Sequence, residues 1–301
     1  MIASPFAPPF DGFATPAGWT AGPLPGTATR EVAGPSGACR LTLAWPAGQA
    51  PAQGWPLLVM AEDAHLEMAR ALAWHHAGAP KARLAVPGVI LAIGYVGPSR
   101  REHDFTPGGV EGAARSASPA DVMSGPGGAP AFLAWIANEV LPLAHAALPL
   151  DSTRRTFAGH SLGGLLGLQS CLAQPGLFAT YLLSSPSVWW GEGRAAQLAA
   201  AAVAAPVAGL DARVCLTVGE YEQALSPDEL TWPDRERIAA QRQGRAMVDR
   251  MRALAAVLAT VPGVQLDFRV IQAETHRSVI PRALDLGVRI AFAPLAVEAA
   301  A

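Results

Sequence analysis

A serine set between glycines is the strongest chemical signal in this 301-residue chain. Residues 159–163 read GHSLG, which matches the pattern Gly-x-Ser-x-Gly. The glycines allow a sharp turn from a strand to a helix, and the serine hydroxyl is then presented as a nucleophile from a strained backbone. The strand-like run 155–158 and the helix-like run 162–173 supply that context. We therefore predict that Ser161 is a nucleophile and that the N–H of Leu162 donates to an oxyanion.

A serine hydroxyl needs a base, and the position of His276 fits that role. It follows Ser161 in the chain and lies in a loop after the last strand-like run, 264–271. His160 adjoins the nucleophile, but its place in the backbone directs it away from Ser161. We predict that His276 is the base and that His160 is a packing or pocket residue.

The third member of such a constellation is a carboxylate after the strand-like run 214–218. Glu222 lies three residues after Gly219, which is the usual spacing of this carboxylate in related hydrolases, and it is preferred. Glu220 is the alternative in the same turn, and Asp228 and Glu229, further along the loop, are less favoured. The order Ser, Glu, His along the chain is that of the α/β-hydrolases.

The loop after the strand-like run 57–60 is expected to carry a second oxyanion donor. The backbone N–H of Glu62 or Asp63 is the candidate.

Strand-like and helix-like runs alternate through most of the chain, which predicts an α/β-hydrolase fold: a mostly parallel twisted sheet with helices on both faces. Residues 1–30 are assigned to an N-terminal arm and 31–301 to the hydrolase domain. Residues 97–128 form a long Gly-, Pro- and Ser-rich stretch, and whether it acts as a lid is left open. The strand-like runs are 38–45, 57–60, 89–96, 155–158, 181–184, 214–218 and 264–271, and the helix-like runs are 65–75, 130–145, 162–173, 194–204, 235–260 and one from Val279.

Composition bounds the classes of partner. Hydrophobic residues make up 51% and charged residues 15%, the net charge is −2, and no block of Lys and Arg occurs, so neither nucleic acid nor an anionic membrane is expected as a partner. Without a secretory signal pattern at the N-terminus, we expect a cytoplasmic protein. The three cysteines are widely spaced and are expected to be core residues, and we expect neither a metal nor an organic cofactor. The expected partner is a small-molecule ester, and the oligomeric state is left open.

Several further segments, in order along the chain, resemble the esterase branch of the α/β-hydrolases that includes the ferric-siderophore esterases acting on enterobactin, salmochelin and bacillibactin. The matching segments are 93–95 (IGY), Arg101 with 104–107 (DFTP), Phe132 with 138–142 (NEVLP), 159–164 (GHSLGG), 184–190 (SSPSVWW) and 275–281 (THRSVIP).

This resemblance implies ester hydrolysis with Ser161 and His276 in the active roles. Some siderophore esterases work with a Ser–His pair and no well-placed acid, which leaves that alternative to Glu222 open. Family members carry an Asp-Gly pair where this chain has Glu62 and Asp63. The resemblance also implies that the substrate pocket is bordered by Arg100, Arg101, Asp104, Trp189 and Trp190.

The function that these observations favour is a serine esterase that works through an acyl-enzyme, with a siderophore trilactone as a candidate substrate. A thioester hydrolase similar to S-formylglutathione hydrolase, or an acyltransferase, is the alternative. A binding protein on a hydrolase scaffold is the alternative of another class, and the paired Ser161 and His276 argue against it.

Overall fold

A computed structural model describes residues 13–78, 84–107, 127–205 and 207–295. The first twelve residues of the predicted arm and residues 108–126 of the long Gly-, Pro- and Ser-rich stretch lie outside the described residues. In the described ranges the strands are β1 (Thr20–Ala21), β2 (Thr27–Gly34), β3 (Gly37–Ala44), β4 (Trp55–Met60), β5 (Val89–Tyr95), β6 (Leu150–His160), β7 (Thr180–Ser184), β8 (Ala212–Gly219) and β9 (Val264–Ile271). The helices there are α1 (Leu66–Ala77), α2 (Arg101–Asp104), α3 (Ala129–Trp135), α4 (Leu141–Ala147), α5 (Leu162–Ala173), α6 (Arg194–Ala204), α7 (Arg235–Arg245), α8 (Met247–Leu258) and α9 (Val279–Ala291).

All the described strands join one sheet in the order β1-β2-β3-β5-β4-β6-β7-β8-β9. In this order, the pairs β1-β2, β2-β3 and β3-β5 are antiparallel, and the remaining pairs, from β5-β4 to β8-β9, are parallel. Each residue of β4 is buried, as expected for a central parallel strand covered on both faces. The carboxyl ends of β4, β6, β7 and β8 therefore lie along one edge, where the loops after them can meet.

The first strands begin inside the segment that its composition assigned to an arm. Residues 20–21 and 27–30 contribute to β1 and β2, and β2 pairs with β3 from Thr27↔Ala44 to Gly34↔Gly37. β2 lies near the sheet edge and much of it is half-buried or exposed, so it lacks the apolar alternation that marks a strand in the sequence.

Two helix-like runs are interrupted in the structure. The run 235–260 is divided into α7 and α8 at Ala246, whose φ of 45° is left-handed. The run 130–145 is divided by a π-helical turn at Ile136–Val140, where the N–H of Leu141 donates to the carbonyl of Ile136. Pro142 follows in the first turn of α4, and because proline has no N–H, the wider turn before it relieves the crowding that its ring causes.

Helices cover both faces of the sheet, as predicted. Helices α1 and α9 pack together on one face, and α5 lies on the other with α3, α6 and α8. The three cysteines are buried free thiols, which confirms their prediction as core residues. Within the described ranges, no helix has the length and the apolar content needed to cross a bilayer.

Candidate active site

Ser161 occupies a strained turn between β6 and α5. Its φ of 58° and ψ of −117° lie outside the regions that residues with a side chain prefer. A Cβ on Gly159 would lie 2.2 Å from the carbonyl oxygen of Gly163, so only glycine fits there. A Cβ on Gly163 would lie 3.3 Å from the Cβ of Ala61, which is also tight. The glycines thus permit the turn that presents the serine, as the sequence pattern predicts.

Backbone hydrogen bonds from the last residue of β7 and from the segment after it hold the turn of Ser161 on both sides. The N–H of Ser161 donates to the carbonyl of Ser184 at 2.9 Å, and the N–H of Ser187 donates to the carbonyl of Ser161 at 3.0 Å. The Oγ atoms of Ser161 and Ser187 lie 3.2 Å apart. In the resting arrangement, the hydrogen-bond partner of the Ser161 hydroxyl is therefore Ser187.

Glu222 and His276 form a directly bonded pair. His276 Nδ1 lies 2.6 Å from Glu222 Oε2, and the Glu222 side chain is 1% exposed. The other oxygen, Oε1, accepts the N–H of Gly219 at 2.7 Å and the hydroxyl of Ser185 at 2.5 Å. A carboxylate only accepts, so Nδ1 carries the proton and Nε2 of the ring is left as a base.

The turn that carries Glu222 is tied to the loop that carries His276. The N–H of Tyr221 donates to the carbonyl of Glu274 at 2.8 Å. A Cβ on Gly219 would lie 2.5 Å from the same carbonyl oxygen, so the close approach of the two segments requires glycine at this position.

The other candidate acids have different partners. Glu220 accepts the N–H of Ala273 at 2.8 Å through Oε2. Both oxygens of Glu229 accept from the Arg242 guanidinium at 2.6 Å, and these hydrogen bonds hold the pKa of that carboxyl below its ordinary value. Among the candidate carboxylates, Glu222 is the one hydrogen-bonded to His276.

Ser161 and His276 open into the same cavity, of about 260 Å³. They lie at the same edge of the sheet, as the chain order predicts. The rest of its lining is mostly polar and aromatic, with the aliphatic Leu162: Arg101, Glu102, Leu162, Ser187, Trp189, Trp190, Gln241 and Arg245. Arg245 lies over the Trp189 ring, with its guanidinium carbon 4.6 Å from the ring centroid.

Of the residues predicted to donate to an oxyanion, Leu162 adjoins Ser161 and the side chain of Glu62 reaches the start of α5. Leu162 is the first residue of α5, so its N–H has no carbonyl acceptor within the helix. The loop with Glu62 lies against Gly163, where a Cβ would be 3.7 Å from Glu62 Oε2. The Glu62 carboxylate pairs with Arg101, with Nε and Oε1 2.8 Å apart, while burial raises its pKa and the Arg101 charge opposes that shift. The side chain of Asp63 packs against Gly94 in β5, so only its backbone remains a candidate donor.

Two of the residues predicted to border the substrate pocket do not line this cavity. Arg100 extends over the Tyr95 ring, and its Nη2 donates to the carbonyl of Ala38 at 3.3 Å. Asp104 is buried and accepts the hydroxyls of Ser36 at 2.5 Å and Tyr95 at 3.0 Å. The prediction for these two residues is corrected, because the single turn of α2 directs Arg101 toward the cavity and Asp104 into the core.

His160 contacts the ring of His276 and does not line this cavity. Its ring centroid lies 4.5 Å from that of His276, and its Nδ1 lies 3.1 Å from Ser184 Oγ. It lines a separate apolar space between the sheet and α9. Burial, with the nearby His276 and Arg101, lowers the pKa of His160 to about 3, so its ring is neutral. His160 therefore packs against His276 and lines that separate space, and it does not line the cavity of Ser161.

The structure adds five residues to the site that the sequence patterns did not predict: Ser185, Ser187, Gly219, Gln241 and Arg245. Ser185 and Ser187 follow β7 directly, so the meeting of carboxyl strand ends at one edge was an available signal. No such signal was available for Arg245, which reaches the cavity from α7.

Among the residues that the structure covers, no three or more His, Cys, Asp or Glu side chains converge as metal ligands.

Comparison with known proteins gives a consistent result. The family model described as "Putative esterase" matches residues 85–255. A siderophore enterobactin esterase of Emericella nidulans is 33% identical over 220 residues, covering 66% of this chain and 70% of that protein. A siderophore triacetylfusarinine C esterase of Aspergillus fumigatus is 38% identical over 125 residues, and this chain spans only 39% of its length.

A solved structure shares the architecture. The siderophore hydrolase EstA of Aspergillus nidulans aligns with a TM-score of 0.76 at 24% identity, over 90% of this chain and 97% of that one. At that identity the likeness concerns the fold, and the predicted α/β-hydrolase fold is confirmed.

Proposed function

This chain belongs to that esterase family, and from this premise we propose that it is a serine esterase that cleaves a carboxylic ester through an acyl-enzyme on Ser161. The observation that carries the proposal is the Glu222–His276 pair, bonded at 2.6 Å, with His276 lining the same cavity as the strained Ser161.

The first half of the reaction begins when the Ser161 hydroxyl leaves Ser187 and turns toward His276. Nε2 takes the hydroxyl proton as Oγ attacks the ester carbonyl, and the carbonyl electrons move onto oxygen. The Leu162 N–H donates to this oxyanion, together with the backbone N–H of Glu62 or Asp63. The intermediate collapses, the protonated His276 gives its proton to the leaving alcohol, and an ester of Ser161 remains.

Water completes the cycle through the same groups. His276 takes a proton from a water molecule as the water oxygen attacks the acyl carbonyl. The second intermediate then expels Ser161 Oγ, which regains a proton from His276. Throughout, Glu222 holds the Nδ1 proton and so keeps Nε2 available. The burial of Glu222 and its three donors support this role.

For the substrate class we propose an oxygen-rich ester with anionic character, of which a siderophore ester is the leading candidate. Named relatives act on siderophores, and the cavity wall supports a match in charge. The guanidinium of Arg245 lies over the face of Trp189 at the cavity, and Arg101, which is paired with Glu62, also lines it. A cation on an aromatic face suits a ligand that carries both a ring and negative charge.

The test is a substrate panel with purified protein. Catecholate trilactones, hydroxamate siderophore esters, neutral aryl esters and short thioesters are compared by kcat/KM, with Ser161→Ala as the paired variant. We expect siderophore esters to be preferred and Ser161→Ala to lose about 10³-fold or more on each cleaved ester. Preference for thioesters would contradict the proposal and indicate a thioester hydrolase. Transfer of the acyl group to an added alcohol in place of water would indicate an acyltransferase. Full aryl ester hydrolysis by Ser161→Ala would contradict the mechanism.

A further inference from the structure

We infer that Ser185 is a positioning residue that fixes the orientation of Glu222 and, through it, the ring of His276. The inference rests on the proposed function, because it assigns the support of the acid in the same site. Ser185 does not line the cavity with Ser161 and His276, so its effect is transmitted through Glu222.

Ser185 keeps a side chain where glycine would fit the backbone better. Its φ is 44°, in the left-handed region, and it is fully buried directly after β7. Its N–H donates to the carbonyl of Thr217 in β8 at 2.7 Å, which anchors this conformation. A serine in a strained, buried position is best explained by the bond that its hydroxyl makes.

That hydroxyl helps to fix the plane of the Glu222 carboxylate, so that one of its oxygens stays directed at His276. It donates to Glu222 Oε1 at 2.5 Å, and the N–H of Gly219 donates to the same oxygen at 2.7 Å. With Oε1 held by two donors, Oε2 faces His276 Nδ1 at 2.6 Å. Loss of the hydroxyl leaves one fixed donor on Oε1, so the carboxylate gains freedom to rotate and the ring loses its fixed partner.

The short segment 184–187, which contains Ser185, also holds the backbone of Ser161. Ser184 and Ser187, on either side of Ser185, bond the N–H and the carbonyl of Ser161. A Cβ on Gly164 of α5 would lie 3.1 Å from Pro186, so helix and segment are closely packed. The acid is therefore held by the same segment that holds the nucleophile, and Ser185 is the side chain that links them.

The test compares Ser185→Ala with Ser185→Gly, because the two variants separate the hydroxyl from the backbone strain. Both lack the donor, while glycine also tolerates the positive φ. We expect kcat to fall roughly 10- to 100-fold in both variants with KM nearly unchanged, since a hydrogen bond to a charged group is lost. The melting temperature of the glycine variant should equal or exceed that of the alanine variant.

Ser170→Ala is the matched control. Ser170 is a fully buried serine of α5 whose hydroxyl lies 3.3 Å from that of Tyr181, outside the site. Its kcat should stay within about twofold of wild type, because the hydrogen bond it loses is remote from the reacting groups. If Ser185→Gly keeps wild-type kcat, or if kcat in the Ser185 variants falls only in step with melting temperature, the hydroxyl is structural and the inference is overturned.

A measurement without substrate separates this inference from the proposed function. The proton on His276 Nδ1, bonded to Glu222, should give a downfield proton resonance that is present in wild type and weakened or lost in Ser185→Gly. An unchanged resonance would overturn the positioning role. If wild type cleaves no ester while the resonance depends on Ser185, the proposed function fails and the positioning of His276 by Ser185 stands.

Discussion

Replacing Glu222 by glutamine keeps the shape of the side chain and reverses one of its hydrogen bonds. The carboxylate accepts from Ser185 and Gly219 on one oxygen and from His276 on the other. An amide has one acceptor oxygen and one NH₂ donor. With the amide oxygen toward His276, the NH₂ would face the N–H of Gly219 in a buried space, which places two donors against each other. The amide oxygen therefore takes the place of Oε1, and the NH₂ faces His276.

That arrangement gives His276 the wrong proton for catalysis. Facing an NH₂ donor, Nδ1 must offer a lone pair, so the neutral ring carries its proton on Nε2 and cannot accept one from Ser161. Losses of about 10⁴-fold in kcat accompany this tautomer change in serine hydrolases, which corresponds to about 5 kcal/mol of activation free energy. We expect Glu222→Gln to lose about 10³- to 10⁴-fold in kcat.

The assay is steady-state hydrolysis of the best ester from the panel, with the melting temperature of each variant as a check of folding. Glu220→Gln is the matched control, since Glu220 only caps the N–H of Ala273 at 2.8 Å, and its kcat should stay within about threefold. A folded Glu222→Gln enzyme that keeps more than about a tenth of wild-type kcat would contradict the tautomer change, because the loss expected from that change is far larger. It would also favour a Ser–His pair that needs no acid.

Gly219→Ala should lower kcat roughly 10- to 100-fold, because a Cβ 2.5 Å from the Glu274 carbonyl displaces the His276 loop. Gly244→Ala, whose added Cβ would meet nothing within 4 Å beyond its own helix and chain neighbours, should keep its activity and gain about 0.5–1 kcal/mol in unfolding free energy. Arg245→Gln should raise KM for anionic siderophore esters about tenfold and leave KM for neutral aryl esters unchanged in steady-state assays; equal effects on both would contradict the charge match. The pKa of His160 is lowered to about 3 in the folded protein while the unfolded chain protonates near 6.5, so the unfolded state binds more protons as pH falls from about 6.5 toward 3. Denaturant titrations should therefore show wild type losing up to about 2 kcal/mol more stability than His160→Gln between pH 7 and pH 5, and parallel losses would contradict the shift.

The parts of the fold that repeat a local pattern were predictable. The run predicted for β9 has the bounds of the observed strand, and α9 begins at Val279 as expected. Strand β2 was missed because it lies near the edge and alternates weakly. The break at Ala246 carries no signal, since alanine is a good helix former and its left-handed φ is set by packing.

For the site, chain order and strand–turn–helix context were enough to place Ser161, Glu222 and His276 at one edge of the sheet. The direction of the side chains on α2 was not predictable, because a one-turn helix has no periodicity from which to choose between Arg100 and Arg101. Ser185 and Arg245 contact residues that are distant in sequence, and those contacts depend on strand register and helix packing rather than on local pattern.

Active-site labelling tests the central claim most directly. The protein is treated with a fluorophosphonate, digested, and the modified peptide is identified by mass spectrometry. We expect a single adduct on Ser161, absent in Ser161→Ala and formed far more slowly in Glu222→Gln. An adduct on another residue, or ester hydrolysis that persists without modification of Ser161, would contradict it.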